Sequence, residues 1–317
     1  MYFTEEQLIT YSKPLSNSED LKCKNAINVV STALKSIGYN EKEQVQLAYS
    51  DTFAYETRLK KGSTEIKLLV QGSYANNTNV RLESDVDIAV IQEDVFVTNY
   101  RSSASDHNYG FSVSEYSFKQ YKQDIYDILV ERFGQDSVEW KNKCLSIEGN
   151  SYRMDTDSVP ARRFRDYTND YSNSEQNFVG GIKIFSDKGE VITNYPEQHI
   201  KNGRSKNNTT NRFYKKNVRI IKRLRYIMIE HGMRLSSLPS SFYLESLLWN
   251  IPDYKYTSEA SYLERFQGIL NYLMYISPNE LDSYTEVNGI KGLCKNASEK
   301  ANMLEFIKVL YDFFESD

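Results

Sequence analysis

The segment from Asp85 to Val90 most strongly constrains how this chain can fold. Acidic or small side chains alternate there with aliphatic ones in the order Asp85, Val86, Asp87, Ile88, Ala89, Val90. Successive side chains of a β-strand point to opposite faces of the sheet. A strand over about 84–92 would therefore bury the aliphatic side chains in a core and place both carboxylates on the opposite, open face.

A buried strand and a turn of small residues precede this segment. Leu68, Leu69 and Val70 predict a strand over about 65–71 that runs directly into Gly72 and Ser73. Small residues let backbone N–H groups come close to a phosphate at the start of a short helix. A phosphate-sized turn followed by two carboxylates on one strand predicts a site for a nucleotide phosphate and a divalent metal.

A third carboxylate is expected nearby, because phosphoryl transfer to a hydroxyl uses two oxygen-ligated metal ions and two acids seldom suffice to hold both. Asp155 and Asp157 would face the same side of a strand over about 151–159 that ends at Pro160. If that strand pairs beside the first, either residue completes the acidic patch. The residue pattern alone does not choose between them.

Length and composition limit the class of protein. A chain of 317 residues can form two packed lobes, and its net charge of −4 argues against a dedicated nucleic-acid binder. The three cysteines have no metal-ligand spacing and fit a reducing compartment. Because the sequence has neither a signal-peptide pattern at its start nor a long apolar segment, we expect a cytoplasmic protein without a membrane span.

Local patterns predict the remaining elements. A capping box at Ser16 and Glu19 predicts a helix over 16–38, and the chain from 213 onward reads as helical. We expect the other elements to be a polar helix over about 41–60, a loop over 100–112, a helix over 114–133, strands near 137–148 and 151–159, and a long loop over 186–212 that could act as a lid. The predicted domains are 1–185 and 186–317. His107, His199 and His231 are expected to be surface residues.

With these residues identified, the sequence resembles the bacterial cGAS/DncV-like nucleotidyltransferases (CD-NTases) of the DNA polymerase β-like superfamily, which act in CBASS anti-phage systems. The matching motif runs from Gly72 through Thr78 to Asp85 and Asp87. The segment Asp157-Ser158-Val159-Pro160-Ala161 resembles the family's third-acid strand, in which the acid lies three residues before the proline. The resemblance therefore selects Asp157 over Asp155, and Asp85, Asp87 and Asp157 become the expected catalytic metal ligands.

The resemblance also implies nucleotide contacts in the second half of the chain. The helix around 213–225 is similar to the family helix that supplies a lysine to the triphosphate, a role that falls on Lys222. Ser241 and Phe242 match a Ser-Ser-aromatic helix start that binds triphosphate and stacks a base. Other readings stay open: Lys215, Arg219 and Lys222 could form a solvated helix face, Ser240 or Ser241 could only cap a helix, and Phe242 could only be core.

The implied fold is α+β and bilobed, with a mixed β-sheet catalytic lobe and an α-helical C-terminal lobe. The implied activity is template-independent joining of nucleoside triphosphates, ATP among them, into a cyclic di- or trinucleotide second messenger, with two Mg²⁺ ions or with Mn²⁺ in their place. We expect a monomer with no obligatory nucleic acid and no membrane partner, whose product is sensed by a separate effector. The bases, ring size and linkage are not predicted.

Two alternatives share the same motifs. One is another polymerase β-like nucleotidyltransferase: an enzyme with linear products, such as a 2′-5′ oligoadenylate-like or 3′-tailing transferase, or one that nucleotidylates a protein or small molecule. The other is a nucleotide-binding module without catalysis, which the complete set of acids disfavours.

Overall fold

A computed structural model describes residues 3–46, 55–80, 85–233 and 237–315. The chain divides into two compact units. The sheet unit comprises Ser16–Ala75 and Ser84–Pro196, and the helical unit comprises Met1–Leu15, Asn76–Glu83 and Glu197–Asp317. The short segment Asn76–Glu83, which directly follows the Gly72 turn in sequence, thus belongs to the helical unit.

All strands of the described residues belong to the sheet unit. They are β1 (Asn40–Gln46), β2 (Tyr55–Lys61), β3 (Thr64–Gln71), β4 (Val86–Tyr100), β5 (Val138–Trp140), β6 (Leu145–Ile147), β7 (Thr156–Tyr167), β8 (Val179–Phe185) and β9 (Val191–Asn194).

The helices of the same described ranges are α1 (Glu5–Tyr11), α2 (Asn17–Ser36), α3 (Gly72–Ala75), α4 (Asp106–Tyr109), α5 (Phe118–Phe133), α6 (Pro196–Thr209), α7 (Phe213–Glu230), α8 (Ser241–Trp249), α9 (Tyr254–Thr257), α10 (Tyr262–Met274), α11 (Pro278–Asp282) and α12 (Ala297–Glu315). α2 to α5 belong to the sheet unit. α1 and α7 to α12 belong to the helical unit, as does α6 after its first residue, Pro196.

The strands form one mixed sheet in the order β1-β2-β3-β4-β7-β6-β5, and β8 and β9 extend it from β7. β4 and β7 run parallel, and the other pairs are antiparallel. The register places Asp87 opposite Gln71 of β3 on one side and opposite Asp157 of β7 on the other. This confirms the predicted mixed sheet and brings the turn after β3 next to the acidic segment.

The alternation in β4 is confirmed at its start. Val86, Ile88 and Val90 are buried, Asp87 is half-buried, and Asp85 is exposed just before the strand. Ala89 and Ile91 are also buried, so the expected open face ends after Asp87. From Ile88 to Gln92, β4 is buried on both faces, so Asp87 is the last accessible polar residue before this buried stretch.

The strand that carries Asp157 does not end at Pro160, as the sequence suggested. β7 continues to Tyr167, and Pro160 pairs with Val90 inside the sheet. On its other side β7 pairs with β6 only up to Ser158 and with β8 only from Arg162. Proline has no N–H to donate, and it lies where neither β6 nor β8 requires one, which explains why it does not end the strand.

Two further element predictions are wrong. The expected helix over 41–60 is replaced by β1 and β2, within the limits of the described residues, because the pairing of β1 with β2 and of β2 with β3 overrides the helix propensity of Glu, Lys and Gln. The expected loop over 186–212 contains β9 and α6. The sequence does not reveal α6 because its buried side includes His199 and Asn207, so it lacks the continuous apolar stripe by which a helix is recognised.

The other element predictions hold more closely. α2 begins at the predicted capping box, since Ser16 accepts from the backbone N–H of Glu19 and the Glu19 carboxylate accepts from the Ser16 N–H at 2.8 Å. α5 covers most of the predicted 114–133. The helical unit has its own core of buried aliphatic and aromatic side chains from α7, α8, α10 and α12. None of the described helices is long and apolar enough to cross a membrane.

Candidate active site

The Gly72 turn packs directly against the Asp87 side chain. Gly72 has φ +70°, and a Cβ placed on it would lie 2.2 Å from Asp87 Oδ2. Only glycine combines this backbone conformation with that approach. α3, which begins at Gly72, is anchored to α2 by the buried Tyr74, whose hydroxyl donates to Asp20 Oδ1 at 2.8 Å. The first turn of the predicted phosphate site is thus fixed beside one of the predicted metal ligands.

The surroundings of Asp87 disfavour the ionised form of its carboxyl group. Burial raises its pKa to about 7, with further contributions from the negative charges of Asp85 and Asp157. A carboxylate whose pKa is raised this far by burial and by two neighbouring acids is stabilised by a bound cation. The three predicted acids therefore act on one another within the sheet unit.

Asp157 lies on the same sheet face as Asp87, since register partners on adjacent strands point to the same side. Lys141 Nζ lies 3.8 Å from Asp157 Oδ1, and burial together with the Asp157 charge raises the pKa of the Cys144 thiol to about 12. Asp155 precedes β7 instead, and its carboxylate accepts the Gly149 N–H at 2.6 Å. The geometry favours Asp157 over Asp155 as the third acid.

The carboxylate oxygens of this patch are the donors that hard divalent cations prefer. Within the described ranges, no three His, Cys, Asp or Glu side chains form a preassembled metal cage. Mg²⁺ is commonly bound by one or two carboxylates, with water and substrate phosphate completing the octahedron. The acidic patch fits that mode of binding, in which the nucleotide contributes part of the coordination.

In the helical unit, Lys222 and its neighbours on α7 are buried. Lys215, Arg219 and Lys222 are 2%, 5% and 1% exposed, so the solvated-face reading is wrong. Lys222 Nζ donates to the Thr78 carbonyl at 3.0 Å. Arg219 donates to the Ser12 carbonyl at 2.6 Å and also to the Asn77 carbonyl. α7 therefore uses cationic side chains to hold the segment that follows the Gly72 turn in sequence.

A buried carboxylate, Glu245 of α8, organises this region. Its Oε2 accepts from the Thr78 hydroxyl at 2.8 Å, and its Oε1 lies 3.0 Å from His199 Nε2. Although burial raises its pKa, the charges of His199 and Lys222 and the bond from Thr78 bring the pKa down to about 2. Glu245 is therefore an anion throughout the physiological range and ties α6, α8 and the segment around Thr78 together.

The three residues of the predicted Ser-Ser-aromatic helix start make different contacts. Ser240 is the N-cap of α8 and accepts from the Tyr243 N–H, whereas the Ser241 hydroxyl accepts from Arg225 at 3.0 Å. Phe242 is 40% exposed, so the core reading is wrong. Its ring centroid lies 5.5 Å from that of His199. An exposed aromatic ring in this position is available for stacking.

Sequence reasoning missed Thr78, His199 and Glu245. His199 was expected at the surface but is 8% exposed on α6. The one available signal was the position of Glu245, three residues after Phe242 and so on the same side of a helix. The structure groups Gly72, Asp85, Asp87 and Asp157 in the sheet unit, with Ser73 next to Gly72. It places Lys222, Ser241 and Phe242 in the helical unit.

A parallel strand pair that aligns two aspartates beside a Gly-Ser turn, followed by a helical unit, defines a polymerase β-like nucleotidyltransferase. A family profile described as the cGAS/DncV-like nucleotidyltransferase C-terminal helical domain matches residues 201–315. The chain is 45% identical to the cyclic GMP-AMP synthase CdnE03 of Staphylococcus schleiferi, over 99% of this chain and 98% of that protein.

Two further relatives are similar over most of their length. The cyclic dipyrimidine nucleotide synthase CdnE of Cecembia lonarensis is 38% identical over 86% of this chain and 83% of that protein. The solved structure of Rhodothermus marinus CdnE c-UMP-AMP synthase with Apcpp and Upnpp has a TM-score of 0.79 at 25% identity, and covers 99% of this chain and 98% of that one. The chain belongs to the cGAS/DncV-like nucleotidyltransferases.

Proposed function

We propose that this enzyme joins nucleoside triphosphates without a template and closes the product into a cyclic di- or trinucleotide, a second messenger for CBASS anti-phage signalling. The observation that carries the proposal is the packing of Gly72 against Asp87, with Asp157 in register on the adjacent strand. The 45% identity to a cyclic GMP-AMP synthase supports a cyclic product.

The three aspartates of the sheet unit would form the metal site. Asp85, Asp87 and Asp157 would hold two Mg²⁺ ions, or Mn²⁺ in their place. Bound metal would supply neutralisation of the triphosphate and activation of the attacking hydroxyl. The raised pKa of Asp87 supports this role, because burial and the neighbouring acids disfavour the bare carboxylate, which a bound cation would stabilise.

The remaining predicted residues would bind the nucleotide. Gly72 and Ser73 offer backbone and hydroxyl donors to phosphate, and Lys222 and Ser241 would bind the triphosphate. Lys222 bonds to Thr78 and Ser241 to Arg225 in this structure, so their contact with phosphate would supplement or replace these bonds. Phe242 would stack a base, a role that its exposure supports.

In each turnover, a ribose hydroxyl of one nucleotide attacks the α-phosphorus of another. One bond forms between that oxygen and phosphorus, the bond to pyrophosphate breaks, and the hydroxyl proton passes to solvent. The enzyme contributes chiefly by holding the two reactants in line. A last transfer within the linked product closes the ring.

The choice of base is open within the family. The relatives are named for GMP-AMP, dipyrimidine and UMP-AMP products, so membership does not determine which nucleotides this enzyme uses. We expect ATP to be one of them.

The test is incubation with each nucleoside triphosphate alone and in mixtures, with Mg²⁺ or Mn²⁺, followed by pyrophosphate measurement and phosphatase treatment. We expect pyrophosphate release and a phosphatase-resistant product. A product that loses a terminal phosphate to the phosphatase would indicate a linear synthase. Nucleotide binding by calorimetry without pyrophosphate from either metal would indicate a binding module without catalysis.

A further inference from the structure

The exposed ring of Phe242 is supported from behind by a buried histidine. The His199 and Phe242 ring centroids are 5.5 Å apart with an interplanar angle of 34°, within the range of an attractive aromatic pair. Tyr243 lies edge-on to the same ring at 5.9 Å and 81°. Phe242 thus has aromatic neighbours and yet keeps 40% of its surface exposed.

His199 is itself held in place by the helix that carries Phe242. Its Nε2 lies 3.0 Å from Glu245 Oε1, and Glu245 follows Phe242 by three residues on α8. Residues three apart on a helix lie on the same side, so α8 contacts His199 at two points. The imidazole is therefore fixed between the ring that it supports and the carboxylate that orients it.

The second oxygen of the Glu245 carboxylate contacts another segment of the helical unit. Glu245 Oε2 accepts from the Thr78 hydroxyl at 2.8 Å, and Thr78 follows the Gly72 turn by six residues in sequence. Burying charged groups stabilises a protein little compared with apolar packing of the same volume. A buried polar network in this position is thus better explained by the positions that it fixes than by stability.

We propose that His199 is a positioning residue that sets the orientation of the Phe242 ring for stacking on a nucleotide base, with Glu245 holding His199 in place. This inference rests on the proposed function, because it takes Phe242 to be the base-stacking residue. The ligand class is a nucleobase of a bound nucleoside triphosphate. His199 contacts no reacting atom in this account.

The test is a double-mutant cycle between His199→Gln and Phe242→Leu. Glutamine can still donate to Glu245 but has no ring, so it removes the support for Phe242 and keeps the polar bond. His107→Gln is the matched control, since His107 is exposed on α4 in the sheet unit. We expect His199→Gln to raise KM for one nucleotide roughly twofold to tenfold, the value of an aromatic pair, with kcat little changed.

The same substitution in the Phe242→Leu background should change KM no further. Additive effects of the two substitutions would overturn the inference, and so would an equal KM in His199→Gln and the control. Thermal unfolding of each variant separates misfolding from misplacement. If His199→Gln does not fold, His199→Asn, a shorter amide, replaces it in the cycle.

A second readout does not require catalysis. With 4-fluorophenylalanine incorporated, the ¹⁹F resonance that disappears in Phe242→Leu reports on this ring. It should shift in His199→Gln and should shift again on addition of Apcpp. If the ¹⁹F resonance shifts in His199→Gln but the wild-type protein makes no product, the support of Phe242 by His199 stands and the proposed activity is rejected. No shift with His199→Gln would reject the support whatever the activity.

Discussion

Substituting Gly72 with alanine should separate the catalytic role of the turn from its role in folding. A Cβ on Gly72 would lie 2.2 Å from Asp87 Oδ2, whereas ordinary van der Waals contact begins at 3.4 Å. The carboxylate oxygen must therefore retreat by about 1.2 Å. Such a displacement exceeds the tolerance of a metal-ligand or near-attack geometry, and misplacement by about 1 Å costs on the order of 100-fold in rate.

Gly62 provides the matched control. It has φ +60°, close to the +70° of Gly72, but a Cβ on Gly62 would meet no atom within 4 Å. Alanine at either position introduces left-handed backbone strain of about 1–2 kcal/mol. Since the Asp87 side chain can rotate away, both variants should lose a similar free energy of unfolding, measured by urea denaturation.

The activity assay is pyrophosphate release at saturating nucleotide and Mg²⁺. Gly62→Ala should retain its kcat, and Gly72→Ala should lose about 100-fold. A kcat for Gly72→Ala within about threefold of the Gly62→Ala value would refute the reasoning, since it would mean that the position of the Asp87 carboxylate does not matter. If Gly72→Ala loses over about 4 kcal/mol more unfolding free energy than Gly62→Ala, the Asp87 side chain cannot rotate away from the new methyl group.

Three further results are expected. Asp85→Asn or Asp87→Asn should abolish pyrophosphate release while leaving circular dichroism unchanged, because each removes a metal-binding charge; normal product from either would remove these residues from the site. The Asp87 pKa of about 7, against 3.8 for an ordinary aspartate, means that the folded state binds the proton more tightly, so metal-free stability should fall as pH rises from about 4 to 7. At about 1.4 kcal/mol for each pH unit the loss is about 4 kcal/mol, which partial exposure reduces to about 2 kcal/mol; urea titrations that run parallel for wild type and Asp87→Asn would contradict this. Glu245→Gln should cost about 3 kcal/mol of unfolding free energy by removing the buried anion that Thr78, His199 and Lys222 surround, whereas Glu230→Gln, on an exposed helix end, should change it by less than about 0.5 kcal/mol.

The predictable parts of this protein are those that local patterns determine. The capping box at Ser16 and the alternation around Asp87 act over a few residues, so the sequence identifies α2 and the start of β4. β1 was not predictable, because its polar residues become a strand only through pairing with β2. The full length of β7 was not predictable for a related reason. A strand can continue through Pro160 only where no neighbour needs its N–H, and this depends on where the pairing with β6 and β8 stops.

The polar network of the helical unit illustrates the same limit for the candidate site. Thr78 and Glu245 are 167 residues apart in sequence, and no local pattern indicates that their side chains contact each other. His199 lies on a helix whose buried side is largely polar, so it was taken for a surface residue. Contacts of this kind follow from tertiary structure, and only the motif residues could be named beforehand.

The most direct test of the central claim is the intact mass of the product that survives phosphatase after incubation with mixed nucleoside triphosphates and Mg²⁺. Ring closure predicts a mass equal to the sum of the component nucleoside monophosphates less one water for each, with no terminal phosphate to remove. A surviving product with the mass of the dephosphorylated linear oligomer, which is that of the ring plus one water less one HPO₃, would contradict cyclic synthesis, and so would no surviving product at all despite pyrophosphate release.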